Sequence, residues 1–131
     1  NIKLNTDKDI NKIDIKRNPE LVYGLRNFIG NANKFSKDKI FITLKSDSEF
    51  TNLDIEDDGE GFPKDILNKI GEPYIKSTKK KDEFREGLGL GVFIGKTLLE
   101  KNFATVICKN SETRSGAEIK IIWKNNDLKK I

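Results

Sequence analysis

The chain has 131 residues, 35% hydrophobic and 35% charged, with a net charge of +4. That length supports one domain around a modest core, and no apolar run approaches the ~18 residues of a membrane span. Histidine is absent and Cys108 is the single cysteine, so imidazole acid–base chemistry, a phospho-accepting histidine and an intrachain disulfide are excluded within this segment.

Ile2 with Leu4, and Ile13 with Ile15, alternate as in one or two short strands. Asn18-Pro19 reads as a helix start, with Asn as N-cap, Pro in the first turn and Glu20 at the positive end. The helix is expected over residues 19–35, with Leu21, Leu25, Phe28, Ala32 and Phe35 as its apolar face. Asn27, Asn31 and Lys34 fall within about 60° of one another on a polar stripe. Two asparagines in mid-helix cost stability, although a solvated stripe is the simpler reading of these residues alone.

Ile40, Ile42 and Leu44 define a strand, and Leu53, Ile55 and Asp57 stand in phase along a second. Asp57 therefore points to an apolar face, where a carboxylate needs a partner or a ligand. Asp57-Asp58-Gly59-Glu60-Gly61 is a sharp exit from that strand. A short helix is expected over residues 63–69. Residues 71–86 carry no sustained period and read as a functional lid or a mobile segment. The lid holds the one dense basic cluster, Lys76 to Lys81 plus Arg85. Elsewhere lysines are mixed with acids, so nucleic-acid binding is not expected despite a pI of about 9.1.

Gly87-Leu88-Gly89-Leu90-Gly91 reads as a glycine-rich turn opening a helix, with Leu90, Phe93, Ile94, Thr97 and Leu98 on one face. Unpaired N–H groups in the first turn of such a helix suit a phosphate. Two strands follow, about 104–109 and 117–123, the second with Ala117, Ile119, Ile121 and Trp123 in phase and Ser115-Gly116 at its entrance. Cys108 reads as a small core residue. Residues 125–131 read as a frayed tail, which leaves residues 1–124 as the domain. A sequence without methionine is expected to be a domain excised from a longer protein, with any targeting or membrane segment outside it.

The motifs stand in a fixed order: Asn27-x-x-x-Asn31-Ala32, Asp57-x-Gly59-x-Gly61, Glu72-Pro73-Tyr74, Gly87-x-Gly89-x-Gly91. The ordered set resembles the ATP-binding catalytic domain of sensor histidine kinases, in the superfamily shared with gyrase, Hsp90 and MutL. The resemblance covers about residues 19–124. Pro19-Glu20-Leu21-Val22-Tyr23-Gly24-Leu25, Gly71-Glu72-Pro73-Tyr74-Ile75 and Gly91 to Glu100 are similar to the RegB/PrrB-type redox-responsive kinases.

The resemblance implies an α+β, two-layer sandwich of the Bergerat type, with a mixed, mostly antiparallel sheet of about five strands on about three helices. It implies ATP and Mg²⁺, with Asn31 on the metal, Asn27 beside it and Lys34 at the phosphates as the catalytic set. Asp57 is implied on the adenine amino group, with Gly59 and Gly61 against the base. Gly87, Leu88, Gly89, Leu90 and Gly91 are implied at the phosphates, and Tyr74, Ser77, Thr78 and Lys79 near the nucleotide by analogy. The chemistry agrees. An acceptor-only carboxylate selects adenine's amine over guanine's carbonyl, and Mg²⁺ shared with phosphates suits one neutral oxygen ligand.

Asn27 stands where hydrolytic members carry a glutamate base. An amide cannot take a proton, so phosphoryl transfer to an already nucleophilic acceptor is expected rather than hydrolysis. Lys101-Asn102 stands where a glycine pair often ends the last long helix, and asparagine tolerates the left-handed conformation there. The implied partners are a dimerisation and phospho-acceptor domain absent from this chain and, through the full-length kinase, a response regulator. The segment alone is expected to be a monomer, the cytoplasmic part of a membrane-anchored kinase. Two other readings stay open: a hydrolytic ATPase module, and a non-catalytic nucleotide-regulated interaction domain.

Overall fold

The computed structural model describes residues 2–6, 15–67 and 83–131, without the side chains of Asn5 and residues 83–89. The elements run β1 (Ile2–Thr6), α1 (Pro19–Phe35), β2 (Ile40–Ser46), β3 (Phe50–Asp57), α2 (Lys64–Leu67), α3 (Glu83–Lys101), β4 (Thr105–Asn110), β5 (Ala117–Lys124) and α4 (Asn125–Leu128). Ile13 and most of the segment 71–86 lie outside the described residues.

The sheet order is β1-β2-β3-β5-β4. β1 pairs with β2 in parallel and every other pair is antiparallel. Alternation gives the sheet two different faces. On one, Ile42, Ile55, Ile119 and Cys108 lie in one row, and Leu44, Leu53, Ile121 and Val106 in the next. Phe28 of α1 and Val92 and Leu99 of α3 join Ile40, Ile55 and Ile121 of this face in a single core. Burying a side chain of that size contributes roughly 1.5–3 kcal/mol. The opposite face carries Asp54, Glu56, Glu118, Lys109 and Lys120, a charged surface typical of a sheet covered on one side.

α1 forms as its sequence requires. The Asn18 Oδ1 accepts the Glu20 and Leu21 N–H groups at 2.9 and 3.4 Å, and Pro19 is pre-set for the first turn. Leu21, Phe28 and Ala32 are buried, with Leu25 and Phe35 packed against them.

α3 departs from expectation in two ways. It begins at Glu83, so Gly87, Gly89 and Gly91 lie inside the helix and not in a turn before it. Glycine costs about 1 kcal/mol in a helix but does not forbid one. Its buried stripe is Val92, Gly95 and Leu99, whereas Leu90 and Thr97 are exposed. Periodicity counts large apolar side chains, but here a glycine makes the helix–helix contact. A Cβ on Gly95 would sit 2.8 Å from the Phe28 ring, so α1 and α3 approach closely only with a hydrogen at that position.

The C-terminal segment is not frayed along its length. Leu128 is 5% exposed, and the Asn125 amide accepts from Thr51 Oγ1 at 2.7 Å and donates to the Asp47 carbonyl at 2.7 Å. These contacts hold α4 on the β2–β3 turn. At the end of α3 the left-handed residue is Phe103, with φ 73°, and not Asn102. The Ala104 N–H returns to the Leu99 carbonyl at 3.0 Å and closes the helix.

Asn102 acts as a latch instead. It is buried, donates from Nδ2 to the Leu98 carbonyl at 2.8 Å and accepts on Oδ1 from Asn18 Nδ2 at 2.9 Å. Its carbonyl accepts the Trp123 indole N–H at 3.1 Å. The start of α1, the end of α3 and β5 therefore meet at one amide. Asn18→Ala should cost about 1–3 kcal/mol in urea denaturation, because it removes the cap and orphans the Asn102 oxygen. Asn18→Ser keeps a capping oxygen and should cost less. An alanine variant as stable as the parent would contradict the latch.

Candidate functional site

Asp57 ends β3 on the apolar face of the sheet, 3% exposed. Its Oδ1 accepts the Gly59 N–H at 2.9 Å and the Ala117 N–H at 3.2 Å. Among the described residues no donor reaches Oδ2. Burial pushes the Asp57 carboxyl above its usual range, the two N–H groups pull it back, and the neighbouring Asp58 charge raises it again.

Two loops hold that carboxylate in place. Asp58 turns the other way and accepts from the Lys37, Asp38 and Lys39 N–H groups at 2.9–3.1 Å. Those bonds hold its carboxyl below the usual range and tie the α1–β2 loop to the end of β3. On the other side the β4–β5 hairpin closes through the Ser111 N–H to the Gly116 carbonyl at 2.7 Å. Gly116 lies so close that a Cβ there would overlap the Asp57 carbonyl and carboxylate. Only glycine permits the approach that brings the Ala117 N–H to Asp57.

Around Asp57 opens a cleft of about 420 Å³, solvent at its mouth included. Phe28, Ala32 and Phe35 of α1, Val92 of α3, and Ile55 and Ile119 of the sheet give it apolar walls. Its polar groups include the Asp57 carboxylate and the Asn31 amide. An apolar slot with a few placed polar groups is the usual form of a small-molecule site.

The structure brings together Asn31, Asp57 and Gly61 of the expected residues, with Gly59 bonded to Asp57 and Gly91 packed on the Asn31 amide. Among the described residues, the Asn31 Nδ2 is buried with no hydrogen-bond partner. Asn27 shares the helix but not the cleft lining, and its amide donates to the Tyr23 carbonyl at 2.9 Å. Lys34 is exposed, with Nζ 5.5 Å from the centre of the Phe35 ring, and also stands outside the lining. Leu90 is 50% exposed. Gly87, Leu88 and Gly89 are placed only as backbone of α3. Tyr74, Ser77, Thr78 and Lys79 lie outside the described residues.

Phe62 and Ala117 line the cleft, and Gly116 shapes it, without having been assigned a role from sequence. Ser115-Gly116 was the one visible signal. Cys108 keeps its core reading: burial pushes its thiol up to about 12, so it is not a thiolate at neutral pH.

A raised Asp57 pKa sets the sign of a pH effect. The native state holds that proton where the unfolded chain has lost it, so stability falls as pH rises from the ordinary carboxylate value through the raised one. Asp57→Asn keeps an Oδ1 acceptor and does not titrate. Its stability relative to the parent should therefore rise across that window and stay higher at neutral pH, as read from urea midpoints between about pH 4 and 8. A parental advantage that grows with pH would contradict this.

Comparison with known proteins finds histidine kinases. Sensor histidine kinase RegB of Cereibacter sphaeroides is 35% identical over 124 residues, covering 83% of this chain and 27% of RegB. Sporulation kinase A of Bacillus subtilis is 34% identical over 97 residues, 72% of this chain and 15% of that kinase. The chain thus spans about a quarter or less of these relatives. Among solved structures, the catalytic domain of histidine kinase ThkA, in a nucleotide-free form, superposes with a TM-score of 0.73 at 20% identity, covering 95% of this chain and 79% of that one. The mycobacterial sensor histidine kinase MprB gives 0.69 at 20% identity, covering 94% and 83%. No helix among the described residues is long and apolar enough to cross a membrane. The family model described as histidine kinase-, DNA gyrase B- and HSP90-like ATPase matches residues 17–127, and the chain belongs to that family.

Proposed function

We propose that this chain binds ATP in the Asp57 cleft and transfers its γ-phosphoryl group to a histidine on a helical domain outside this segment. The observation that carries the reading is Asp57 itself: a buried carboxylate, hydrogen-bonded on one oxygen, in the lining of an apolar cleft. Its second oxygen suits the adenine amine, and the aromatic and aliphatic walls suit the ring faces.

Asn31 fits a hydrated Mg²⁺. Its amide reaches the cleft wall with Nδ2 buried and, among the described residues, unpartnered, a donor that phosphate oxygens would use. The amide oxygen is the neutral ligand that Mg²⁺ shares with a polyphosphate. When bound, the ion neutralises charge developing on the transferring phosphoryl group. Lys34 adds charge from the same helix. The resemblance alone assigns Tyr74, Ser77, Thr78 and Lys79 and the backbone from Gly87 to Gly91 to the nucleotide.

Asn27 supplies no base, and its amide is turned back on its own helix. Water is therefore poorly activated, and the acceptor must arrive as a nucleophile. Histidine meets that need, and this chain has none, so the acceptor comes from elsewhere in the parent kinase. We place the chain in the cytoplasm, as a monomer when isolated, upstream of a response regulator.

The test mixes this chain, γ-labelled ATP and Mg²⁺ with the dimerisation and phospho-acceptor segment of the same parent protein. Acid-labile label should appear on that segment and not on this chain. No transfer at high acceptor concentration, or acid-stable label on this chain, would overturn the proposal. Asn31→Ala should retain the fold and lose most of the gain in ATP affinity that Mg²⁺ gives, as read by calorimetry with and without the ion. An unchanged gain would remove Asn31 from the metal.

A further inference from the structure

Asn110, the last residue of β4, is exposed, yet both ends of its amide are used. Oδ1 accepts the Phe62 N–H at 2.6 Å, and Nδ2 donates to the Phe62 carbonyl at 3.1 Å. One side chain thus makes the reciprocal pair of bonds that a neighbouring strand residue makes in an antiparallel ladder. The peptide it grips lies just past the sharp exit from Asp57. Gly61, next to it, has φ +81°, and a Cβ there would come 2.7 Å from the Asn110 oxygen. The left-handed turn and the amide clasp therefore require each other: glycine admits the Asn110 head, and the head fixes the turn.

The gripped residue and its neighbour belong to the cleft: Phe62 and Gly61 both line it, and Phe62 is buried. We infer that Asn110 is a positioning residue for the base-binding rim, holding Gly61 and Phe62 so that the slot beside Asp57 keeps the width of one flat ring. This rests on the adenine reading of the cleft and extends it to the β4 strand. Asn110 touches no part of the ligand in this account. It acts through Phe62, as Gly116 acts through Ala117 and Asp57.

The hairpin from β4 to β5 is then the fixed wall of the site. Asn110 holds the loop after β3 at its far end. The Ala117 N–H holds Asp57 at its near end. Between them the Ser111 hydroxyl donates to Glu56 Oε2 at 2.8 Å and accepts the Arg114 N–H at 3.1 Å, which stiffens the turn that carries both.

A positioning role for the base makes a selective demand. Losing the clasp should loosen contact with the purine and leave contacts to the phosphates alone. The experiment is calorimetry of the full chain and Asn110→Ala with ATP, GTP and tripolyphosphate, each with Mg²⁺. The parent should bind ATP much more tightly than GTP or tripolyphosphate. Asn110→Ala should lose about tenfold or more in ATP affinity and shift the ATP-to-GTP ratio toward one, with tripolyphosphate affinity within about twofold of the parent. Asn110→Asp keeps the acceptor for the Phe62 N–H and loses the donor. It should fall between the two, and it carries the test if the alanine variant does not fold.

A folded alanine variant with parental ATP affinity and discrimination overturns the inference. So does an equal loss for ATP and tripolyphosphate, which would be a general structural effect. A parent chain that binds ATP no better than tripolyphosphate overturns the adenine reading itself, before any Asn110 variant is compared.

Discussion

The site depends on one buried oxygen. Asp57 Oδ1 accepts two backbone N–H groups, one from its own loop and one from the first residue of β5. Burying a carboxylate is unfavourable unless it is hydrogen-bonded, and here the compensation is partial, because its pKa stays raised. The fold thus presents, in a mostly buried residue, an acceptor with part of its capacity unspent. A ligand with an N–H donor at the edge of an aromatic ring satisfies the remainder. The Ala117 bond also joins the end of β3 to the start of β5, so the acceptor and the sheet that positions it are set by one contact.

Close approach is the second constraint, and it is met by small residues. Gly116 lies against Asp57 where no side chain fits, and Gly95 lies against the Phe28 ring where α3 crosses α1. Both approaches border the cleft, the first at the Asp57 carboxylate and the second at the Phe28 ring. Asn102 locks the far ends of the same two helices, so the cleft lies between a fixed crossing and a fixed sheet.

Much of this is legible in the residues. Asn18-Pro19 and the spacing of Leu21, Phe28 and Ala32 mark α1, because capping and helical periodicity are local signals. Strict alternation marks β2, β3 and β5, and the phase of Asp57 with Leu53 and Ile55 places its carboxylate on the buried face before any coordinates are seen. What escapes the sequence is carried by contacts distant along the chain. Asn110 grips Phe62 across 48 positions, and neither residue looks unusual in its own segment. The glycines before Val92 suggest a turn because their low helix propensity is local, whereas their accommodation in α3 depends on α1. Residues 125–131 read as tail because Leu128 and Ile131 are isolated among polar residues, whereas the burial of Leu128 goes with Asn125 reaching the β2–β3 turn. Asn27 and Lys34 share a stripe with Asn31, but a stripe 60° wide is broader than the cleft, and only Asn31 reaches its lining.

The central claim is that Asp57 reads the amine of adenine. The direct measurement is a cycle between protein and ligand: ATP against purine riboside triphosphate, which lacks only the 6-amino group, on the parent chain and on Asp57→Ala. The parent should bind ATP about tenfold or more tightly than the analogue, as for a hydrogen bond to a charged group, and Asp57→Ala should bind the two alike. Equal affinities in the parent, or a preference that survives in Asp57→Ala, would contradict the account.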